Sequence, residues 1–159
     1  MIAVIQRVFD AKVIADGEFS GAIGRGLYIL LGVAREDSER DAVLLADKIS
    51  KLRIFSDENG KMNLSVKDIG GEVLVVSNFT LNANYSHGNR PDYLAACPPD
   101  EANRLYEYFI SLMKERIGMC AHGRFGADMK TDMSTDGPVT IVMDSQVLKT
   151  GKSNAGAIL

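Results

Sequence analysis

The pattern of apolar and polar residues predicts several β-strands in the first part of the chain. Apolar residues at even spacing predict a strand over residues 1–9, and residues 11–15 predict a second strand. The dipeptide Asp16-Gly17 favours a tight turn that starts a hairpin. Residues 27–33 are apolar apart from one glycine, which is typical of a strand buried on both faces.

Two segments change to helical spacing. Residues 37–53 carry apolar side chains near every third or fourth position, and Asp37 or Ser38 can cap this helix. A second helix is predicted from Pro99 to Ile117, because proline suits a first turn and one stripe of the segment is apolar. Both helices are amphipathic, so each is expected to pack one face against a core.

The remaining strands are predicted over residues 72–81, 119–133 and 138–144, with a turn at 135–138 between the last two. Residues 82–98 are polar and contain glycine and prolines, so they are expected to form a long loop. A chain of mostly strands with two amphipathic helices belongs to the α+β class.

Length and composition indicate one domain. The 159 residues weigh 17.3 kDa, and 46% of them are hydrophobic, which is an ordinary globular mixture. We expect a single domain over residues 1–145 and a polar C-terminal tail, 146–159, that is partly disordered. No signal peptide or membrane-spanning segment is evident, so a cytoplasmic protein without membrane contact is expected.

Charge and cysteine content narrow the chemistry. The net charge of −3 argues against a general nucleic-acid coat protein, although a local basic patch can still bind phosphate. The metal-ligating types Cys97, Cys120, His87 and His122 have no ordinary zinc spacing. We therefore expect two reduced thiols, no metal and no cofactor.

Two short segments are candidates for a functional site. Ser77-Asn78-Phe79-Thr80-Leu81 follows a run of buried-strand residues, where polar groups are costly unless hydrogen-bonded. It is either an ordinary strand end or the floor of a site whose backbone N–H groups form an oxyanion hole. Asp136-Gly137-Pro138 is either a plain turn or a rigid main-chain wall.

Several short matches in the same order show that the chain resembles the bacterial D-aminoacyl-tRNA deacylases. The matching segments are Ile5–Val8, Arg53–Asp57, Gly60–Leu64, Gly88–Pro91, Gly123–Met129 and Gly137–Thr140, together with Ser77–Thr80. The resemblance implies a β-barrel-like α+β fold of mixed sheets and a homodimer. It also implies hydrolysis of the ester that joins a D-amino acid, or glycine, to tRNA.

The resemblance assigns roles to particular residues. Ser77 to Thr80 would form the substrate pocket, with Asn78 as a substrate contact and the amides of Phe79 and Thr80 stabilising the oxyanion. Gly137 and Pro138, joined by a cis peptide, would enter the active site of the partner subunit and exclude L-amino acids by steric clash. Arg7 and Met129 match positions that support this turn, and the family uses no metal.

The chain departs from the family pattern at three positions. Asn78 replaces the usual Gln, Thr135 the usual Asn, and His122 the usual Thr. These changes leave two alternatives open: a non-catalytic tRNA-binding paralogue, and a deacylase of relaxed chirality that also acts on L-alanyl-tRNA. The candidate cations for RNA contact are Lys48, Lys51, Arg53, Lys61, Arg90, Lys130 and Lys152.

Overall fold

The computed structural model describes residues 1–150. The strands are β1 (Ile2–Ala15), β2 (Glu18–Ile23), β3 (Gly26–Gly32), β4 (Phe55–Ser56), β5 (Met62–Leu64), β6 (Glu72–Ser77), β7 (Cys120–His122) and β8 (Met129–Asp144). The helices are α1 (Glu39–Ser50), α2 (Pro99–Ile117) and α3 (Ser145–Thr150), and a 3₁₀ turn spans Phe79–Asn82.

Strand β1 organises the main sheet. It pairs antiparallel with β8 along nearly its whole length, with β3 through its first half and with β2 through its second half. Strands β3, β6 and β7 continue the sheet in parallel. The prediction of two strands at 1–9 and 11–15 was wrong, because the chain bends through irregular pairing with β8 and does not break.

The sheet curls until its two ends nearly meet. Gly21 of β2 lies so close to β7 that a Cβ there would sit 3.0 Å from the Cβ of Ala121. The hydroxyl of Ser20 donates to the carbonyl of His122 at 3.0 Å. The predicted barrel-like α+β fold is therefore confirmed.

Strand β3 is buried on both faces, as its sequence predicts. Leu27, Ile29 and Leu31 point into a core shared with the helices. Tyr28 on the other face packs inside the barrel with Leu74 of β6. Successive side chains of β3 point to opposite faces of the sheet and therefore pack into two different cores.

The two main helices are confirmed, and α2 has the bounds that the sequence predicts. Helix α1 begins after Ser38, whose amide donates to the Asp41 carboxylate at 2.9 Å. Helices α1 and α2 pack together, and the Arg116 guanidinium pairs with Asp47 at 2.7 Å. The first residues of the predicted tail form α3, and Lys149 of this helix pairs with Asp41.

Two predicted strand boundaries need correction. The strand predicted to reach residue 81 ends at Ser77, since the backbone turns into the 3₁₀ segment at Phe79. The strand predicted over 119–133 is interrupted by a loop at 123–128, and the predicted turn at 135–138 lies inside β8.

The interruption of β8 is a local excursion opposite Arg7. Val8 pairs with Thr135, while Gln6 pairs with Thr140, so residues 136–139 face a single residue of β1. The Gly137–Pro138 peptide within this excursion is cis. Within residues 1–150, no helix is long and apolar enough to cross a bilayer.

Candidate active site

A cavity of about 580 Å³ opens where β6 ends. Its volume falls within the usual range of small-molecule sites. The residues that line it are mostly apolar and come from the end of β3, the 3₁₀ turn, the long loop, α2 and the segment before β8. They include Leu31, Val33, Arg35, Ser77, Asn78, Phe79, Tyr93, Cys97, Pro98, Tyr106, Phe125 and Met129.

The floor of the cavity is fixed by the residue that follows β6. The Asn78 amide donates to the Leu31 carbonyl at 2.8 Å, which extends the parallel ladder by one bond. Its side-chain oxygen then accepts from the amide of Thr80 at 3.1 Å and from the Thr80 hydroxyl at 2.5 Å. Asn78 thus caps the 3₁₀ turn and sets where Phe79 lies.

Gly32 allows this turn to approach β3. A Cβ at position 32 would lie 2.9 Å from the Leu81 Cβ and 3.0 Å from the Asn78 carbonyl oxygen. Any larger residue would push the 3₁₀ turn away from the strand.

The structure separates the two predicted oxyanion donors. Thr80 is absent from the cavity lining, and its amide is already bonded to Asn78. Phe79 lines the cavity, its side chain is 59% exposed, and its amide has no acceptor within residues 1–150. The geometry therefore leaves Phe79 as the available donor and gives Thr80 an anchoring position.

Aromatic side chains form two walls of the cavity. The ring of Phe79 meets that of Tyr93 edge to face, with centroids 5.0 Å apart. On the opposite side, Tyr106 lies 6.0 Å from Phe125. The Tyr106 hydroxyl reaches the carbonyls of Val75 at 2.9 Å and Gly123 at 3.1 Å, and burial raises its pKa.

Met129 completes the cavity beside Gly123. A Cβ on Gly123 would lie 2.5 Å from the sulfur of Met129, so a larger residue there would displace the Met129 side chain. Met129 lines the cavity and does not lie within the excursion of β8 that the resemblance expects it to support.

No histidine, aspartate or glutamate lines this cavity within the described part of the chain. Cys97 does line it, but burial, with Glu101 and Asp37 nearby, raises the pKa of its thiol. A raised pKa keeps the thiol protonated, and a protonated thiol is a poor nucleophile. The cavity therefore offers backbone donors and shape in place of a side-chain base.

The other candidate metal ligands are scattered. His87 is exposed in the long loop, while the His122 ring lies 3.1 Å from the Gly123 carbonyl. Burial raises the pKa of Cys120 to about 12. Residues 1–150 contain no group of three or more histidine, cysteine or acidic side chains placed to hold a metal.

The Gly137–Pro138 turn lies outside the cavity of its own chain. Both residues are exposed, and neither lines the cavity. Arg7 holds the turn from beneath: its guanidinium donates to the Asp136 carbonyl at 3.0 Å and its carboxylate at 3.1 Å. A third bond from Arg7 reaches the Ile54 carbonyl at 2.5 Å, and the residue is buried.

The candidate RNA-contacting cations lie on separate elements. Lys48 and Lys51 are at the end of α1, Arg53 precedes β4, and Lys61 lies in the connection between β4 and β5. Arg90 is in the long loop and Lys130 on β8, both exposed. Lys152 lies outside the described residues.

Sequence reasoning missed several residues of the cavity. Tyr106 was noted only as part of the apolar stripe of α2, and Tyr93 only as part of the long loop. Arg35 carried no signal at all, yet it lines the cavity and donates to the Leu94 carbonyl at 2.6 Å. Loop length was the signal that could have pointed to Tyr93.

Residues 4–144 match the family model described as D-Tyr-tRNA(Tyr) deacylase. The chain belongs to this family. It is 53% identical over 148 residues to the D-aminoacyl-tRNA deacylase of Thermotoga petrophila, covering 93% of this chain and 99% of that protein. It is also 53% identical over 145 residues to that of Geobacter metallireducens, covering 91% and 96%.

Two solved structures share the family fold. The c-Myc DNA Unwinding Element Binding Protein is 41% identical, with a TM-score of 0.85 over 91% of this chain and 98% of that one. A probable eukaryotic D-amino acid tRNA deacylase is 13% identical, with a TM-score of 0.80 over 90% and 98%. At that low identity, the second likeness supports the fold alone.

Proposed function

We propose that the cavity at the end of β6 is the site where this chain hydrolyses the ester of D-aminoacyl-tRNA. The chain is a D-aminoacyl-tRNA deacylase, a hydrolase that proofreads chirality in translation. The observation that carries the site assignment is the position of Ser77, Asn78 and Phe79 on the wall of this cavity.

The cavity supports hydrolysis without a side-chain nucleophile. Water attacks the ester carbonyl and the Phe79 amide stabilises the negative charge on its oxygen. The Asn78 side chain caps the turn that carries Phe79 by accepting from the Thr80 amide. The bond to the ribose oxygen then breaks, and that oxygen takes a proton. No carboxylate or histidine of residues 1–150 lines the cavity. The family resemblance implies that the neighbouring ribose hydroxyl assists the attacking water, and we propose the same here.

The chirality filter is proposed to come from a second copy of the chain. Gly137 and Pro138 are exposed and lie outside their own cavity, while Arg7 fixes their main chain. In a homodimer, this turn would meet the partner's cavity and leave space for hydrogen, but not a side chain, on one side of the α-carbon. Glycine lacks a side chain, so glycyl-tRNA would also be a substrate.

The proposed substrate also implies a place in the cell. Charged tRNA is made and used in the cytoplasm, so the chain is proposed to act there.

The direct test compares matched D-tyrosyl-tRNA and L-tyrosyl-tRNA, with glycyl-tRNA and L-alanyl-tRNA alongside, with and without a chelator. We expect loss of the D-tyrosyl and glycyl esters, no loss of the L-tyrosyl ester, and no effect of the chelator. Failure to hydrolyse any D-aminoacyl ester would refute the function and favour a tRNA-binding paralogue. Comparable loss of the L-alanyl ester would refute a strict filter.

The departure from the family pattern at Thr135 is not expected to relax the filter. This residue pairs with Val8 in the sheet and its side chain is exposed, so it lies at the base of the excursion. Asp136 supplies the polar contacts that hold the turn to Arg7. We therefore expect Thr135→Asn to leave the ratio of D-tyrosyl to L-alanyl hydrolysis unchanged.

A further inference from the structure

The tip of the long loop, residues 85–91, forms an exposed surface in the segment that joins two cavity-lining residues. Its base is closed by two backbone hydrogen bonds between Asn84 and Asp92, of 2.9 and 3.0 Å. The chain before the tip contributes Phe79 to the cavity, and the chain after it contributes Tyr93. The tip is therefore connected at its base to Tyr93, whose ring contacts Phe79 on the cavity wall.

The chemistry of this tip suits a nucleic acid. All seven residues are exposed, and the Tyr85 side chain is 81% exposed. Arg90 makes no ion pair within residues 1–150, and the tip contains no acidic residue. An exposed aromatic ring and an exposed guanidinium within one seven-residue tip offer a surface for base stacking and a contact for phosphate.

We propose that residues 85–91 bind the unpaired RNA nucleotides that precede the esterified terminal nucleotide, with Tyr85 stacking on a base and Arg90 contacting a phosphate. This rests on the proposed function, because the cavity holds the terminal nucleotide and its amino acid. The RNA must then leave the cavity across its rim, where Arg35 adds a second cation without an ion pair among the described residues. Stacking tolerates any base, so the contact would serve tRNAs of different sequence.

The first experiment compares two substrates: D-tyrosyl-tRNA, and the D-tyrosyl ester of adenosine, which lacks the preceding nucleotides. Tyr85→Ala is expected to raise KM for the tRNA about tenfold and to leave the adenosine ester unchanged. Tyr85→Phe keeps the ring and should behave as wild type. Phe19→Ala is the matched control, because Phe19 is 71% exposed but does not line the cavity.

Arg90→Ala tests the phosphate contact through salt. The slope of log(kcat/KM) for the tRNA against log salt should decrease by about 0.7 when one contact to single-stranded RNA is lost. Arg90→Lys keeps the charge and should keep the slope.

Fluorescence anisotropy with an RNA oligonucleotide of the tRNA acceptor end that carries no amino acid separates this proposal from the catalytic one. Tyr85→Ala should weaken binding about tenfold whether or not the wild type hydrolyses any ester. Unchanged oligonucleotide affinity in both Tyr85→Ala and Arg90→Ala would overturn the proposal. An equal rise in KM of Tyr85→Ala for D-tyrosyl-tRNA and for the adenosine ester would also overturn it. A change in the oligomeric mass of either variant would overturn it too, because it would assign the tip to contact between copies of the chain.

Discussion

Replacing Asn78 by alanine tests how the 3₁₀ turn prepares the site. The side-chain oxygen of Asn78 accepts two hydrogen bonds from Thr80, at 3.1 Å from the amide and 2.5 Å from the hydroxyl. Alanine removes both, so the turn loses its cap while every cavity-lining backbone group remains. Phe79 stays in the chain but is no longer held by the residue before it.

The expected size of the effect follows from capping and from oxyanion stabilisation. Loss of an Asn cap to Ala costs about 1 kcal/mol. For a domain of this size that lowers the Tm by about 3 °C. Complete removal of an oxyanion donor costs about 100-fold in kcat, so misplacing a donor that is still present should cost about tenfold.

The assay pairs thermal unfolding with single-turnover deacylation of D-tyrosyl-tRNA. Asn78→Asp is the matched variant, because a carboxylate still accepts both bonds from Thr80. It should retain the wild-type Tm and yet lose activity, since its charge repels the developing oxyanion. The Ala variant should lose both stability and activity. Asn78→Gln moves the side-chain oxygen that accepts from Thr80 by one methylene, so it should lower Tm.

One result would refute this reasoning. If Asn78→Ala unfolds about 3 °C lower but deacylates at the wild-type rate, Asn78 is only a cap and the Phe79 amide needs no support from it.

Three further predictions concern the turn and the buried ion pairs. Gly137→Ala should lower kcat/KM for D-tyrosyl-tRNA about 100-fold, because an added Cβ would overlap the backbone nitrogen of Val139 and displace the turn. The Tm should change little, since the turn is exposed. Arg7→Lys keeps the charge but cannot reproduce the three hydrogen bonds of the guanidinium. Calorimetry should therefore show a loss of about 2 kcal/mol in the free energy of unfolding, and kinetics should show weaker discrimination against L-tyrosyl-tRNA. An unchanged ratio of D-tyrosyl to L-tyrosyl hydrolysis would contradict the role of Asp136 as the anchored end of the turn. Burial raises the pKa of Asp41, but its hydrogen bonds, above all from Lys149, outweigh that effect and hold the pKa below its ordinary value of 3.8. The ionised carboxylate therefore stabilises the fold above about pH 4, and this contribution is lost as the pH falls further. Chemical denaturation of Asp41→Asn should show a deficit of about 2 kcal/mol at pH 7 that shrinks below pH 4, and a deficit independent of pH would contradict it.

The sequence predicted those parts of the fold that depend on local pattern. Helix α2 has the predicted bounds because its proline start, its apolar stripe and the glycine that follows all agree. Strand β3 was predicted as buried on both faces because its apolar run leaves no solvent-facing side. Such features need no knowledge of distant partners.

The errors arose where long-range pairing decides the outcome. Residues 136–139 form an excursion within one strand because β8 pairs with β1 on both sides of them. The turn residues alone predict equally well a turn between two separate strands. Likewise, the capping of the 3₁₀ turn by Asn78 depends on the approach of β3 at Gly32. The segments proposed for the site are predicted by motif, whereas Tyr106 and Arg35 reach the cavity only through tertiary packing.

The central claim is that each active site combines the cavity of one chain with the Gly137–Pro138 turn of another. The decisive measurement is subunit complementation, with Asn78→Asp and Gly137→Ala chains carrying different affinity tags, mixed and purified through both tags. In every mixed dimer, one site combines the altered cavity with the altered turn, and the other combines the unaltered cavity with the unaltered turn. D-tyrosyl-tRNA deacylation should therefore recover to about half the wild-type activity. Recovery of no mixed species, or of a mixed species as inactive as its parents, would contradict the shared site.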